Sequence, residues 1–353
     1  MTIVQIADRL IGEGQPPYVI AEMSGNHNGD IERAIKLIDA AADAGADAVK
    51  MQTYTADSMT IDSKAPGFVI EGGLWAGRSL YDLYQEAATP YEWHPRLFEH
   101  ARKRGVTLFS SPFDRQAVDM LHELGAPAFK IASFELNDLP LIRYAASFGK
   151  PLIMSTGLAN LAEIEEAVTA AREAGAGGVI LLHCVSAYPS DPRESNLRTI
   201  AHLAQAFGAP AGLSDHSHGT SVPTAAVALG AAVIEKHLCL ARADGGVDSA
   251  FSLEPKEFAE LVSAARTAFD CLGHVTYGPT PGEGKGRDYR RSLYAVEDIA
   301  AGAPFTAQNV RSIRPGLGLP PKHIDAVLQA RAARAITRGT PLSWALVSHS
   351  GDA

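Results

Sequence analysis

Gly212-Leu213-Ser214-Asp215-His216 and, one helical pattern later, Ile234-Glu235-Lys236-His237 are the stretches whose reading decides the fold. Each is a short apolar run that stops abruptly in polar, metal-capable side chains. A strand alternates its side chains between two faces. Ser214 and His216 therefore share one face of their strand, and Glu235 and His237 share one face of theirs. Two histidines carried at the ends of neighbouring strands can meet over a single ion. A lone histidine is more often a core or surface residue with a hydrogen-bond partner. Here every other expected strand ends in the same manner, and that repetition sets these two apart.

Working outward, the same rhythm runs through most of the chain. Residues 1–17 read as a hairpin, Ile3–Ile6 and Arg9–Ile11, placed to cover one end of the large domain C-terminal to it. Strands are expected at Tyr18–Met23, Ala46–Gln52, Val106–Ser110, Ala128–Ile131, Pro151–Ser155, Gly178–Cys184, Pro210–Ser214 and Ala232–His237. Helical spacing predicts helices at Asp30–Ala44, where Ile31, Ala34, Ile35 and Ile38 recur on one face, and at His94–Arg104, Arg115–Leu124, Leu139–Phe148, Leu161–Ala174, Asn196–Phe207, Thr220–Leu229 and Pro255–Leu272. Strict alternation of apolar strands with helices implies a parallel sheet. Eight such units over about 250 residues is the size of a (β/α)8 (TIM) barrel, here residues 18–272. An open doubly wound sheet is the competing fold. It would carry a Gly-rich phosphate turn after the first strand, and Glu22-Met23-Ser24-Gly25-Asn26-His27 is not one.

Two segments break the rhythm. Residues 53–92 form a long insertion with one helix near Leu80–Ala88; a long loop inside a compact domain is usually functional, which makes it a lid or a substrate wall. Residues 273–290, rich in Gly, Pro and charge, read as a linker able to span up to ~60 Å when extended. The tail, 291–349, reads as short strands at Ser292–Val296, Val310–Ile313 and Ala332–Ile336 with a helix at His323–Gln329. A unit of roughly sixty residues is marginal alone.

Composition narrows the function classes. At 353 residues with 46% hydrophobic content, the chain can bury a large core and is not disordered. A net charge of −9 argues against nucleic acid as a partner, so an anionic substrate would need a local basic pocket. No apolar run approaches the ~20 residues of a membrane span, and Met1-Thr2-Ile3-Val4-Gln5 lacks the features of a signal peptide. Cys184, Cys239 and Cys271 are few and scattered, which fits a reducing, cytoplasmic setting and neither a disulfide framework nor a cysteine zinc site.

In a (β/α)8 barrel the active site lies at the C-terminal strand ends. In order these ends offer Glu22; Lys50 and Gln52; Ser110 and Ser111; Lys130 with Ser133 and Glu135 beyond; Ser155; His183 followed by Ser186 and Tyr188; Ser214, Asp215 and His216; and Glu235 and His237. Two lysines and a ring of hydroxyls make a site for a phosphate and a carboxylate. Two histidines without cysteines suit a divalent ion with open positions, able to polarise a carbonyl. Glu22, Glu135 and Glu235 are candidates for proton transfer or for binding sugar hydroxyls. Asp248, past the last strand, either meets the substrate or caps its loop.

These residues stand in stretches that resemble the sialic acid synthase family: IAEMSGNHNG, VKMQT, FSSPFD, FKIASFE, MSTGL, LLHCVSAYP, GLSDH and IEKH. Within that family the chain is similar to the pseudaminate-forming branch, through TYTADSMT, GLWAGRSLYDLYQEAATP, GGVDSAFSLEP, RRSLY and IRPGLGLPP. The tail resembles the family's antifreeze-like (SAF, β-clip) domain. The resemblance implies a transferase that condenses phosphoenolpyruvate with an amino sugar, with N-acetylneuraminate- and legionaminate-forming enzymes as the near alternatives. It implies that Lys50, Ser111, Lys130, Ser133, Ser155, Ser186 and Ser214 hold phosphoenolpyruvate, and that His216 and His237 hold Mn2+ or Mg2+. It implies that Glu22 serves the sugar, that Gln52, Tyr188, Glu235 and Asp248 line the site, and that Arg314 reaches from the tail into the partner's barrel of a domain-swapped homodimer. Ser186 stands where sialic acid synthases proper more often have Asn, and His218 replaces a more usual apolar residue. Two rivals stand beside this reading: a Schiff-base aldolase using Lys50 or Lys130, and a non-catalytic protein in which the antifreeze-like tail that the resemblance implies binds carbohydrate or ice.

Overall fold

The computed structural model describes residues 3–348, so the first two residues of the expected hairpin and the expected end of the tail at residue 349 lie outside the described residues. An antiparallel hairpin of β1 (Val4–Ile6) and β2 (Arg9–Ile11) comes first. Eight parallel strands come after it: β3 (Tyr18–Glu22), β4 (Ala48–Thr53), β5 (Thr107–Pro112), β6 (Phe129–Ile131), β7 (Leu152–Ser155), β8 (Val179–Cys184), β9 (Ala211–Asp215) and β10 (Val233–His237). They close into a barrel, because β10 pairs with β3 in register from Val233↔Tyr18 to His237↔Glu22. That closure excludes the doubly wound sheet.

The intervening helices are α1 (Ile31–Asp43), α2 (Ala56–Met59), α3 (Leu80–Ala87), α4 (His94–Arg104), α5 (Arg115–Glu123), α6 (Leu139–Ala146), α7 (Leu161–Glu173), α8 (Arg198–Phe207), α9 (Ser221–Ala228) and α10 (Pro255–Leu272). Their starts obey local chemistry. Asp30 caps α1 by accepting from Glu32 N, and Asn160 and Glu163 form a reciprocal capping box on α7. The stripe that α1 buries is Ala34, Leu37, Ile38 and Ala41; Ile31 and Ile35 sit half-buried beside it. Among the described residues no helix is long and apolar enough to cross a membrane.

Strand parity explains how one barrel carries both a core and a site. Outward residues such as Val19, Ala21, Val49 and Met51 pack with Leu37, Ile38 and the other helix stripes. Inward residues of the lower layers, Tyr18, Ile20, Ala48, Phe109, Ala128, Ile153, Ile180, Leu182 and Val233, form a separate interior cluster sealed by Val4, Ile6 and Ile11 of the hairpin. Burying one large apolar side chain contributes about 1.5–3 kcal/mol, so this plug is a substantial stabilising element. Continuing in steps of two along the same inward faces reaches Glu22, Lys50, Ser111, Lys130, Ser155, Cys184, Ser214 and Glu235. Gly212 is needed in the layer below: a Cβ there would collide with the carbonyl of Val233.

Parity also corrects two sequence assignments. His183 and Ser110 point outward. His183 Nε2 bonds Ser195 O at 2.7 Å, and Ser110 bonds the hydroxyl of Thr53 at 2.6 Å. Asp215 and Lys236 likewise face out and form a buried ion pair at 2.5 Å.

The chain divides into two compact units, Met1–Gly273 and His274–Ala353. In the second, β11 (Ser292–Ala295) pairs with β12 (Val310–Ile313), and α11 (Ile324–Leu328) precedes β13 (Arg331–Ala332), which pairs with β14 (Val347–Ser348). Its core is built on Leu293, Ile299, Phe305, Val310, Val327 and Ile336. The expected strand Ala332–Ile336 is shorter than predicted, because the chain changes partners within it. Ala332 N donates to Ala303 O and Ala333 N to Leu346 O, while Ile336 bridges back to Ile299.

Candidate active site

At the strand ends opens a cavity of about 380 Å³. Its floor is a charge network. Glu235 Oε1 accepts from Lys50 Nζ at 3.1 Å, Lys130 Nζ at 3.2 Å and Ser214 Oγ at 2.9 Å. Lys50 also forms an ion pair with Glu22 Oε2 at 3.1 Å. All four ionisable groups are buried. Burial opposes charge on Glu235, but Lys130 and Lys50 outweigh it and hold the carboxyl well below the usual range. Burial likewise opposes charge on Lys50, and Glu22 and Glu235 overcome it and raise its pKa. Among the described residues Lys130 pairs with one carboxylate, Glu235; burial wins there and lowers its pKa. Lys130 is thus the cation with an unmet demand for negative charge.

Around this floor stand unpartnered polar atoms. Among the described residues, Ser111 Oγ, Ser155 Oγ, Glu235 Oε2 and His237 Nδ1 are buried with no hydrogen-bond partner. Orphaned buried donors and acceptors are costly, and a ligand that bonds them removes the cost. Gly157 N donates to Ser133 Oγ at 3.1 Å, and a Cβ at Gly157 would run into the hydroxyls of Ser133 and Ser186. The backbone there packs directly against two hydroxyls.

His216 and His237 come together with ring centroids 5.4 Å apart. His216 Nδ1 bonds Val185 O at 2.9 Å, which leaves Nε2 for a ligand. Burial first, then His216 and Lys50, hold the pKa of His237 well below its ordinary value, so its imidazole is neutral, the form that binds metals. Among the described residues no group of three or more His, Cys, Asp and Glu side chains forms a metal cage. The pair with its orphaned nitrogen therefore fits an ion that keeps open positions for substrate and water, and does not fit a closed structural site.

The remaining sequence-chosen residues divide. Gln52, Ser133, Glu135, Tyr188, Ser214 and Asp248 line the cavity with Lys50, Lys130, Ser155, Glu235 and both histidines. Glu22 does not. It is fully buried beneath the floor, accepting from Gln52 Nε2 at 3.0 Å and pairing with Lys50, so it positions those two residues and does not face the open space. Ser111 and Ser186 are not among the lining residues. Asp248 accepts from Ser24 and lies 3.8 Å from His237 Nδ1, more than a loop cap. Burial lifts the Glu135 carboxyl to about 7, and its Oε2 has no partner among the described residues. His218 is exposed on its loop, and Arg314 belongs to the second unit.

Sequence reading missed Cys184, Trp75, Tyr54 and Phe251. Cys184 is inward by parity with Ile180 and Leu182, and its thiol lies 3.9 Å from His216 Nδ1; the same count of two would have found it. Phe251 packs on His237 at 4.9 Å and Tyr188 at 5.2 Å. It comes from the loop after β10, where no periodicity signals a position. The insertion, with α2, an antiparallel bridge Val69↔Ser79 and α3, supplies Tyr54, Trp75 and much of the remaining wall.

Residues 37–277 match the NeuB family and residues 290–348 match the SAF domain. A pseudaminic acid synthase of Campylobacter jejuni subsp. jejuni serotype O:23/36 is 45% identical, covering 92% of this chain and 95% of that protein. The pseudaminic acid synthase of Helicobacter pylori is 43% identical, covering 93% and 97%. Among solved structures, an N-acetylneuraminic acid (sialic acid) synthetase from Leptospira borgpetersenii serovar Hardjo-bovis superposes with a TM-score of 0.73 at 35% identity, covering 81% of this chain and 95% of that one. A barrel whose strand ends assemble two lysines, two histidines and a hydroxyl cradle, followed by a SAF domain and matched along nearly its whole length, places this chain in the NeuB family.

Proposed function

We propose that this chain is a pseudaminic acid synthase. It would join phosphoenolpyruvate to 2,4-diacetamido-2,4,6-trideoxy-L-altrose and release inorganic phosphate and a nine-carbon 2-keto acid. The observation that carries the reading is one cavity holding two buried lysines, one of them with its pKa lowered by burial, beside a pair of imidazoles. Lys50, Lys130, Ser133, Ser155 and Ser214, together with Ser111 and Ser186, are the groups that would hold the enol phosphate and its carboxylate. Their fixed donors favour the phosphate as its charge grows on departure. His216 and His237 would hold a divalent ion, Mn2+ or Mg2+, which when bound supplies Lewis-acid polarisation of the sugar carbonyl.

Carbon three of the enol attacks the C1 aldehyde of the open-chain sugar, forming the C–C bond. Water adds at carbon two, and the resulting tetrahedral centre breaks its C–O bond to phosphate. Gln52, Tyr188 and Asp248 orient the sugar, and Glu22 holds Lys50 and Gln52 in place. Glu135 is the carboxyl that retains a proton near neutral pH and can give it to the nascent alkoxide. Arg314, on the SAF unit, would complete the sugar site of a partner subunit in a swapped homodimer.

A phosphate-release assay against a panel of amino sugars tests the reading. Turnover is expected with the diacetamido trideoxy sugar, abolished by exhaustive chelation and restored by manganese or magnesium. Turnover with N-acetylmannosamine alone would overturn the pseudaminate assignment, and a borohydride-trapped adduct formed without metal would favour the aldolase.

Glu135 gives a separate pH prediction. Its folded pKa is raised to about 7, so the protonated, donating form is lost as pH rises through that value. The alkaline limb of kcat should fall near there. Glu135→Gln should lower kcat by about 10²–10⁴ and flatten the limb. An unchanged limb in the variant would assign it to another group.

A further inference from the structure

The proposed chemistry uses the strand side of the cavity and leaves the opposite side without a role. That side is built by the insertion, which turns Met59, Ile70, Trp75, Leu83 and Tyr84 onto the space above the strand ends. These side chains belong to a small apolar cluster of their own, centred on Tyr54, Leu83, Ala87 and Val247 and separate from the barrel core. Met59, Ile70 and Trp75 are only half-buried, and they line the cavity with the apolar surface they leave uncovered.

The wall is held in place. Ile70 N donates to Arg78 O at 2.9 Å and Gly77 N to Ile70 O at 2.8 Å, closing a hairpin turn with Trp75 near its tip. Trp75 Nε1 donates to Val247 O at 2.8 Å, and its ring leans on Tyr188 with centroids 5.5 Å apart. The one indole donor is therefore already used. Between residues 59 and 87, among the described residues, the Tyr84 hydroxyl is the one other side-chain polar atom on the lining. A sugar hydroxyl turned toward Met59 and Ile70 would lose water and gain no partner. A methyl group turned the same way gains apolar contact.

We infer that Met59, Ile70 and Trp75 form a specificity wall that selects the methyl-bearing side of the amino sugar, reading its C6 deoxy carbon or its 4-acetamido methyl. The inference rests on the synthase reading for the identity of the sugar. Its test reads binding, so the two stand or fall separately.

Dissociation constants of the full chain, with manganese and 2-phospholactate as an unreactive stand-in for phosphoenolpyruvate, are measured for three probes. They are the diacetamido trideoxy sugar, its analogue with the 6-hydroxyl restored, and its analogue with hydroxyl in place of the 4-acetamido group. The wild type should favour the first over at least one analogue by about tenfold or more, and the disfavoured analogue identifies which methyl is read. Met59→Gln with Ile70→Thr should reduce that ratio below about threefold, whereas Met59→Leu with Ile70→Val should keep it. Failure of the wild type to rank the probes, or a polar double variant that weakens all three equally, overturns the inference. A wild type that ranks them yet releases no phosphate from phosphoenolpyruvate removes the synthase reading and leaves the wall standing.

Discussion

Replacing Glu235 by leucine is expected to destabilise the barrel by about 3–5 kcal/mol, the usual cost of removing one partner from a buried ion network. Among the described residues, Glu235 is the single carboxylate bonded to Lys130 and one of two paired with Lys50. Lys50 would keep Glu22 at 3.1 Å, but Lys130 would be left as a buried cation with nothing opposite it. The pKa of Lys130 is already lowered in the folded chain, so the folded state binds this proton less readily than the unfolded one. The deficit of the leucine variant should therefore be fully present below the folded pKa of Lys130 and shrink as pH rises from there toward the ordinary lysine range. Adding Lys130→Met to the same chain should recover most of the loss, since it removes the orphaned charge and leaves Lys50 paired with Glu22. Denaturant unfolding of the two variants measures both effects. A loss below about 1 kcal/mol for Glu235→Leu, the range of an exposed pair, would mean that the network is not buried in the way described.

Lys130→Met alone should behave in the opposite way. Glu235 retains Lys50 and Ser214, so no buried charge is left without a partner, and methionine fills much of the same space. Unfolding should change by less than about 1.5 kcal/mol. Activity should fall by about 10²–10³ in kcat/KM for phosphoenolpyruvate, because a charged donor to the leaving phosphate is gone. Lys130→Arg should recover little of this, since a planar fork cannot replace a compact ammonium in a close-packed barrel floor. Steady-state kinetics alongside the unfolding curve separates the two consequences. An active Lys130→Met variant would place the phosphate elsewhere in the cavity.

The barrel is legible in the sequence because alternation of buried strands and amphipathic helices is written locally and repeated eight times. The polar strand ends are legible for the same reason. Lys50, Lys130, Ser155, Ser214, Glu235 and His237 each continue an apolar run at the end of its strand, and the barrel brings those runs to one mouth. His183 is misplaced when the most polar residue near a strand end is taken without counting parity; Cys184, one step on, has the inward phase. The tail strand at Ala332 is overextended because β-propensity does not reveal where a strand changes partners.

What the sequence determined by itself is the set of chemistries present: cations and hydroxyls suited to an anion, and imidazoles able to ligate a metal, placed at the ends of their strands. Tertiary structure alone decided the division of labour among them. Glu22 and Glu235 look alike in sequence, but closure of β10 on β3 sets both against the lysines and turns them into counter-ions, while Glu135 is lifted into a neutral acid by burial. The apolar wall came from structure as well. Residues 53–92 carry no single period, and the contact of Trp75 with Val247, across 172 positions of chain, exists only once the barrel has folded. Local periodicity encodes which face a side chain takes; only packing of distant segments sets the dielectric and the partners that give it a role.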